Sequence, residues 1–215
     1  MRIAVIGAGN VGGTLGRRWA ELGHDVRFGV RDPSRGASAV KGGGALPKSA
    51  RVVLPAEAVR DATAALLATP WDAVRDSLRE AGSLDGVAVL DATNPLKAGM
   101  QLDFGTGGES GAEQVQAMVP NARVVKVFNT TGFNNMKDPL YDGAPTMMLY
   151  AGDDAGAKQI ARDLAATIGF EPYDAGALVR ARELEHLASL WISLAYGAVG
   201  APALGREFAF RLVRR

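Results

Sequence analysis

Residues 1–23 read MRIAVIGAGNVGGTLGRRWAELG, and the middle of that stretch decides the fold. Arg2–Ile6 is a short, almost wholly apolar run with β-branched residues, as expected of a strand covered on both faces. It runs into Gly7-Ala8-Gly9-Asn10-Val11-Gly12, a GxGxxG turn. Val11, Leu15, Trp19 and Leu22 then recur at helical spacing until Gly23 ends the pattern. With 27 glycines in 215 residues the motif is weak by itself, and a turn that binds nothing is the bland alternative. Its place between a strand and a helix strengthens it. Each glycine has its own reason: Gly7 for the tight turn, Gly9 for close approach of a pyrophosphate to the backbone, and Gly12 for helix–strand packing. Such a helix start offers unpaired N–H groups and a positive dipole end to an anion.

Similar units follow. Strand patterns occur at Asp25–Gly29, Arg51–Leu54, Thr63–Ala68, Val87–Asp91, Arg123–Val127, Thr146–Ala151 and Gly169–Tyr173. Helical patterns lie between them. Ser110 with Glu113 spells a capping box ahead of Val115 and Met118, and Asp153 is placed to cap a helix striped by Ala157, Ile160, Ala161, Leu164 and Ile168. This alternation predicts an α/β fold of Rossmann type: a doubly wound, mainly parallel sheet with a small C-terminal helical and β extension. The connection from Ala92 to Glu109 is long enough to suggest a functional loop.

Bulk composition narrows the function. The chain is 47% hydrophobic and 22% charged, with 24 basic against 23 acidic residues, so nothing favours nucleic acid. It has no cysteine and two histidines, which exclude thiolate chemistry and predict no metal site. The strand pattern at the very start predicts no signal peptide and a cytoplasmic protein. The uncharged stretch 187–204, LASLWISLAYGAVGAPAL, is diluted by Ser, Gly and Pro, so a buried helix is expected there rather than a membrane span.

The second strand ends in GVRDPSRG, residues 29–36. An acid about 20 residues beyond the glycine loop would bind a ribose 2′-OH and select NAD. This chain has Val30 and Arg31 there, then Ser34 and Arg35. Guanidinium groups suit a 2′-phosphate, which a carboxylate would repel, so NADP(H) is the expected cofactor. Asp32, followed by Pro33, reads as a helix cap rather than a ribose ligand. Two solvated surface arginines are the competing reading.

Ligands of such sheets lie outside the carboxyl ends of the strands. Three further strand ends carry suitable residues: Thr69-Pro70-Trp71, Asn94-Pro95, and Lys126 through Thr131 with Asn129 among them. Their prolines fix backbone direction, and their polar side chains could bond a nicotinamide carboxamide. Lys126 could polarise an acceptor carbonyl or bond a backbone carbonyl. His24 and His186 read as structural or surface residues. No catalytic residue is expected, because hydride transfer between rings asks the protein for positioning.

Taken together, IGAGNVG, GVRDP with Arg35, ATPWDAV, DATNPL, SGAEQV, VVKVFNT, ELEHLASLWISLAYG and FAFRLVRR resemble the NADPH-dependent reductases of the deazaflavin coenzyme F-420 and their bacterial relatives. The resemblance spans nearly the whole chain. It implies a Rossmann domain over residues 1–128 and a smaller C-terminal part, 129–215, that completes the acceptor site and forms a homodimer interface. It places the pyrophosphate on Ala8 to Gly12, the 2′-phosphate on Val30, Arg31 and Arg35, and the nicotinamide beside Thr69, Pro70, Trp71, Asn94, Asn129 and Thr131. It also implies a small-molecule redox acceptor, either coenzyme F-420 or a flavin. The chain departs from the archaeal members in its first loop and in having Val30 where they carry a serine. Alternatives are an NADPH reductase of a small imine, carbonyl or metal complex, and a module that senses NADP(H) without turnover.

Overall fold

Eight short runs of apolar sequence become one sheet in the computed structural model, which describes residues 1–97, 102–197, 200 and 202–215. Six of its strands are β1 (Arg2–Ile6), β2 (Asp25–Gly29), β3 (Ala50–Val53), β4 (Ala64–Leu67), β5 (Ala88–Asp91) and β6 (Arg123–Lys126). They lie in the order β3-β2-β1-β4-β5-β6, all parallel, with the order reversing beside β1. After the small hairpin of β7 (Leu140–Tyr141) and β8 (Ala144–Pro145), β9 (Met147–Gly152) joins β6 antiparallel, and β10 (Glu171–Gly176) pairs parallel with β9. Beyond residue 128, β9 and β10 therefore extend the same sheet.

Register aligns the strand ends. Ile6 sits opposite Gly29 and Leu67, Leu67 opposite Asp91, and Asp91 opposite Lys126. The residues that follow these five share one edge.

Helices cover both faces: α1 (Asn10–Glu21), α2 (Pro55–Val59), α3 (Val74–Ala81), α4 (Gly111–Met118), α5 (Phe133–Lys137), α6 (Ala155–Thr167) and α7 (Ala181–Tyr196). Within β1, Ile3 and Val5 join the core that contains Leu15, Trp19 and Leu164, whereas Ala4 and Ile6 join the core that contains Ala58, Leu78 and Val115. Both faces are buried, which is why the strands read as continuous apolar runs. Trp19 ties α1 to α6 by donating its indole N–H to the Leu164 carbonyl at 3.1 Å. A fully buried aliphatic or aromatic side chain of this kind contributes about 1.5–3 kcal/mol.

Several local expectations meet the structure directly. Ser110 and Glu113 form the reciprocal capping box of α4. Asp32 caps the 3-10 turn Pro33–Ala39 through the Ser34 N–H. The cap of α6 is Asp154 rather than Asp153, whose carboxylate instead accepts the Leu178 N–H at 2.9 Å. The uncharged C-terminal stretch is helical up to Tyr196 and turns at Gly197, but it is partly rather than wholly buried, with Leu190 and Tyr196 exposed; its residues 198, 199 and 201 lie outside the described residues, as do 98–101 of the long connection. Among the described residues, no helix is long and apolar enough to cross a membrane.

The first turn explains its glycines. A Cβ on Gly12 would collide with the Gly7 carbonyl oxygen, and one on Gly7 would meet the Ala68 carbonyl at 2.6 Å in a backbone with φ +99°. Gly9 is different: a Cβ there meets nothing within 4 Å, and its φ of −72° suits any residue. Gly12→Ala should therefore cost about 3 kcal/mol in chemical denaturation. Gly9→Ala should cost no more than about 1 kcal/mol, the ordinary penalty of a poorer N-cap. Equal losses would contradict this division of roles.

The capping box adds a pH signature. Burial pushes the Glu113 carboxyl up, but Arg182 and the Ser110 N–H and hydroxyl outweigh it and leave the group below its ordinary value. Its stabilisation should be present above the ordinary carboxylate range and disappear as pH falls through the lowered value. Denaturation of Glu113→Gln across that range should show the gap to wild type closing in acid.

Candidate functional site

The aligned strand ends open into two adjoining cavities, of about 530 Å³ and 840 Å³. Thr69 and Pro70, just past β4, line both, so the two form one trough along the sheet edge. The smaller cavity is walled by the glycine turn (Gly7, Ala8, Gly9) and by the residues after β2 (Val30, Arg31, Arg35). The larger is walled by Val11, Trp71 and Asn94, together with Thr93, Lys97 and Asp103.

Helix α1 points its start into this trough. No side chain caps it, and its first backbone bond is donated by the Gly13 N–H to Gly9 O at 2.7 Å. Among the described residues the three amides before Gly13 have no hydrogen-bond acceptor, and the first turn carries no acid to compensate them. Such a start attracts an anion. The free space where a Gly9 side chain would stand leaves room for one to reach the backbone, so this end of the trough fits a pyrophosphate.

At the β2 end the charges are mixed. Arg31 is 70% exposed and forms an ion pair with Glu80 of α3, Nε to Oε1 at 3.2 Å. Arg35 projects from the 3-10 turn, its carbonyl accepting the Ser38 hydroxyl at 2.7 Å. Ser34 directs both its N–H and its hydroxyl to Asp32 Oδ1, and Ser38 occupies the cavity wall on that turn.

Past β4 and β6 lie buried polar atoms without partners, Thr69 on the wall of the trough and Asn129 bonded to Asn94, which lines it. Among the described residues, Thr69 Oγ1 and Asn129 Oδ1 are buried and make no hydrogen bond. Asn129 donates to Asn94 Oδ1 at 3.1 Å and to the Leu184 carbonyl at 3.2 Å, while Asn94 donates back to the Asn129 carbonyl at 3.1 Å. This clasp joins the ends of β5 and β6. Unpaired buried acceptors are costly, and a carboxamide NH₂ is a donor of the right kind for them.

Behind the clasp lies a charge cluster with no exposure. Lys126 Nζ stands 2.8 Å from Asp91 Oδ2 and 2.9 Å from Glu185 Oε1, and donates to the Thr93 carbonyl at 2.7 Å. The approach to Asp91 Oδ2 is a charge contact without hydrogen-bond alignment. Glu185, from α7, also accepts the Gly111 and Ala112 N–H groups at the start of α4. Burial alone would lower the lysine, but the two carboxylates outweigh it and hold Lys126 above its ordinary value, as the ammonium. Lys126 thus bonds a backbone carbonyl and secures the loop that carries Asn94.

Other expected residues take supporting places. Gly12 lies in the packed turn and Asn10 is exposed at the helix start. Pro95 is buried beside Gly111, and the Thr131 hydroxyl accepts from Asn135 at 2.8 Å. His186 is exposed and its ring lies tilted against Phe104, 4.8 Å between centroids. The sequence reading did not identify Lys41, Glu80, Lys97, Asp103 and Glu185. Lys41 and Glu80 come from segments with no local motif, Lys97 and Asp103 from the long connection and Glu185 from the ELEHL run, and only folding brings them to the site.

Glu80 competes with any phosphate for Arg31. Because the pair is exposed, Glu80→Gln should tighten NADPH by up to about fivefold and leave NADH no tighter. Weaker NADPH binding in a calorimetric titration would contradict this role.

Comparison with known proteins agrees with the architecture. Residues 2–95 match the family model described as NADP oxidoreductase coenzyme F420-dependent. A protein of Arthrobacter sp. FB24, provisionally described as an F420-dependent NADP-reductase, is 31% identical, with all of both chains covered and a TM-score of 0.82. The hypothetical protein SMa0349 of Sinorhizobium meliloti is 26% identical, covering 99% of this chain and 95% of that one, with a TM-score of 0.71. Metalloreductase STEAP3 of Rattus norvegicus is 29% identical over 185 residues, 86% of this chain and 36% of that protein. The chain thus spans about a third of that relative's length. By its full-length likeness to the Arthrobacter protein and its N-terminal match, the chain belongs to the family of coenzyme F420-dependent NADP oxidoreductases.

Proposed function

We propose that the protein transfers a hydride between NADP(H) and a deazaflavin, coenzyme F-420, or a flavin-like acceptor. The observation that carries this reading is the single trough, with Arg31, Arg35 and Lys41 on its wall at the β2 end, and Thr69, whose buried hydroxyl has no partner among the described residues, and Asn94 at the β4 and β5 ends. Its polarity follows the parts of NADP. Arg31 and Arg35 would receive the 2′-phosphate, and the open amides after Gly9 the pyrophosphate. Thr69, Pro70, Trp71, Asn94 and Asn129 would hold the nicotinamide, with Thr131 behind them.

When bound, NADPH supplies the hydride and its pair of electrons. The residues around it supply geometry. Pro70 fixes the backbone where Thr69 meets the ring. The Asn94–Asn129 clasp leaves Asn129 Oδ1 as an acceptor for the carboxamide, which selects one orientation of the ring and so one face toward the acceptor. The rest of the larger cavity, between Trp71, Lys97 and Asp103, is room for a planar acceptor, and wall contacts there would hold donor and acceptor carbons about 3–3.5 Å apart. No side chain needs to move a proton in the hydride step itself.

The likeness to a metalloreductase favours a second reading, in which the acceptor is a metal complex. One assay separates the two. Mixed with NADPH and oxidised F-420, the protein should bleach the deazaflavin's visible band in proportion to NADPH consumed. Oxidation of NADPH by a ferric chelate, with no bleaching, would favour the second reading. Arg31→Glu should weaken NADPH by more than about tenfold while changing NADH little. Equal losses for both would contradict the assigned role of Arg31.

A further inference from the structure

The cationic end of the trough is barely cationic without one more residue. The charged side chains on the wall of the smaller cavity are Arg31, Arg35, Lys41, Asp32 and Glu80. Two arginines face two carboxylates, and one arginine is already paired with Glu80. A phosphomonoester carries a charge of about −1.5 to −2 near neutral pH. It gains little from a lining whose charges cancel. Only Lys41 tips this wall positive.

Lys41 is also held there with care. Its N–H donates to the Ala8 carbonyl at 3.0 Å, fastening it to the glycine turn. Arg17 of α1 donates from Nε to the Lys41 carbonyl at 3.1 Å and from Nη1 to the Ala45 carbonyl at 2.9 Å. Gly13 makes the crossing possible, since a Cβ there would stand 2.5 Å from the Lys41 carbonyl oxygen. These bonds fix the backbone of residue 41, so its side chain starts from a set position on the cavity wall. Among the described residues its ammonium has no carboxylate within ion-pair distance, whereas Lys97 and Lys158 each do. Its backbone is fixed beside Ala8, between the glycine turn and the turn that carries Arg35.

We propose that Lys41 is a third phosphate-binding cation, which reads the adenosine 2′-phosphate together with Arg31 and Arg35. This rests on the NADP(H) reading of the trough. Arg31 contributes a fork that Glu80 partly occupies, whereas Lys41 contributes an uncommitted point charge. Preference for NADP(H) over NAD(H) is then set by three cations rather than by the arginines after β2 alone.

The test is calorimetric titration of the full chain with two cofactor fragments, 2′,5′-ADP and 5′-AMP, for wild type, Lys41→Gln and Lys41→Arg. Wild type should prefer 2′,5′-ADP. Lys41→Gln should lose about tenfold for 2′,5′-ADP while 5′-AMP stays nearly unchanged, and Lys41→Arg should keep most of the wild-type preference. Unchanged 2′,5′-ADP binding in Lys41→Gln would overturn the proposal. So would equal weakening of both fragments, which would move Lys41 to the 5′-phosphate. If wild type itself does not distinguish the fragments, the NADP(H) reading fails as well, whatever the variants do. Lys41 is exposed, so both variants should unfold at the wild-type temperature, and binding changes are read against that control.

Discussion

The contact on which the rest depends is the approach of α1 to the turn that precedes it, where Gly12 lies so close to the Gly7 carbonyl that no side chain fits. It fixes the angle at which α1 leaves β1. That angle seats Leu15 and Trp19 in one core and directs three open amides across the ends of β1, β2 and β4. The strand register does the remainder. Because Ile6, Gly29, Leu67, Asp91 and Lys126 stand in one row, the residues after them form a continuous edge, and the site is a property of that edge.

Charge along the edge is arranged in two different ways. At the outer end the cations are exposed and, among the described residues, only Arg31 is in an ion pair, with Glu80, so an incoming phosphate would displace one weak partner at small cost. At the inner end the ions are buried, and their cost is met by geometry. Lys126 reaches two carboxylates and a carbonyl, and Glu185 takes two amides at the start of α4. Removing one member of such a cluster leaves a charge in a dry environment, at a typical loss of 3–5 kcal/mol. The cluster also joins residues from β5, β6, α4 and α7, so the Asn94–Asn129 clasp has a rigid backing.

Much of this was legible in the chain because the determinants are local. The glycine turn, the capping box of Ser110 and Glu113, and all eight strands of the main sheet follow from short-range pattern, and Gly7 and Gly12 proved to be required by packing. That Arg31 and Arg35 would stand on the cavity wall was legible because residues after a Rossmann strand face the crevice at the carboxyl edge. Elements α2 and α5 are too short for helical periodicity to show, and the β7–β8 hairpin has too few residues per strand to alternate. Adjacent acids defeated the choice of cap for α6, since Leu178 claims Asp153 from far along the chain. Ser34 turned to Asp32 because a short turn satisfies its own donors first. Glu80, Lys41 and Glu185 meet the site only through tertiary contacts, which no spacing in the sequence encodes.

The account is tested most directly by a crystal structure of the protein with NADP⁺ bound. The 2′-phosphate should lie between Arg31 and Arg35, the pyrophosphate over the amides that follow Gly9, and the carboxamide NH₂ within hydrogen-bonding distance of Asn129 Oδ1 or Thr69 Oγ1. A dinucleotide lying in the reverse direction, or with its 2′-phosphate in solvent away from both arginines, would contradict it.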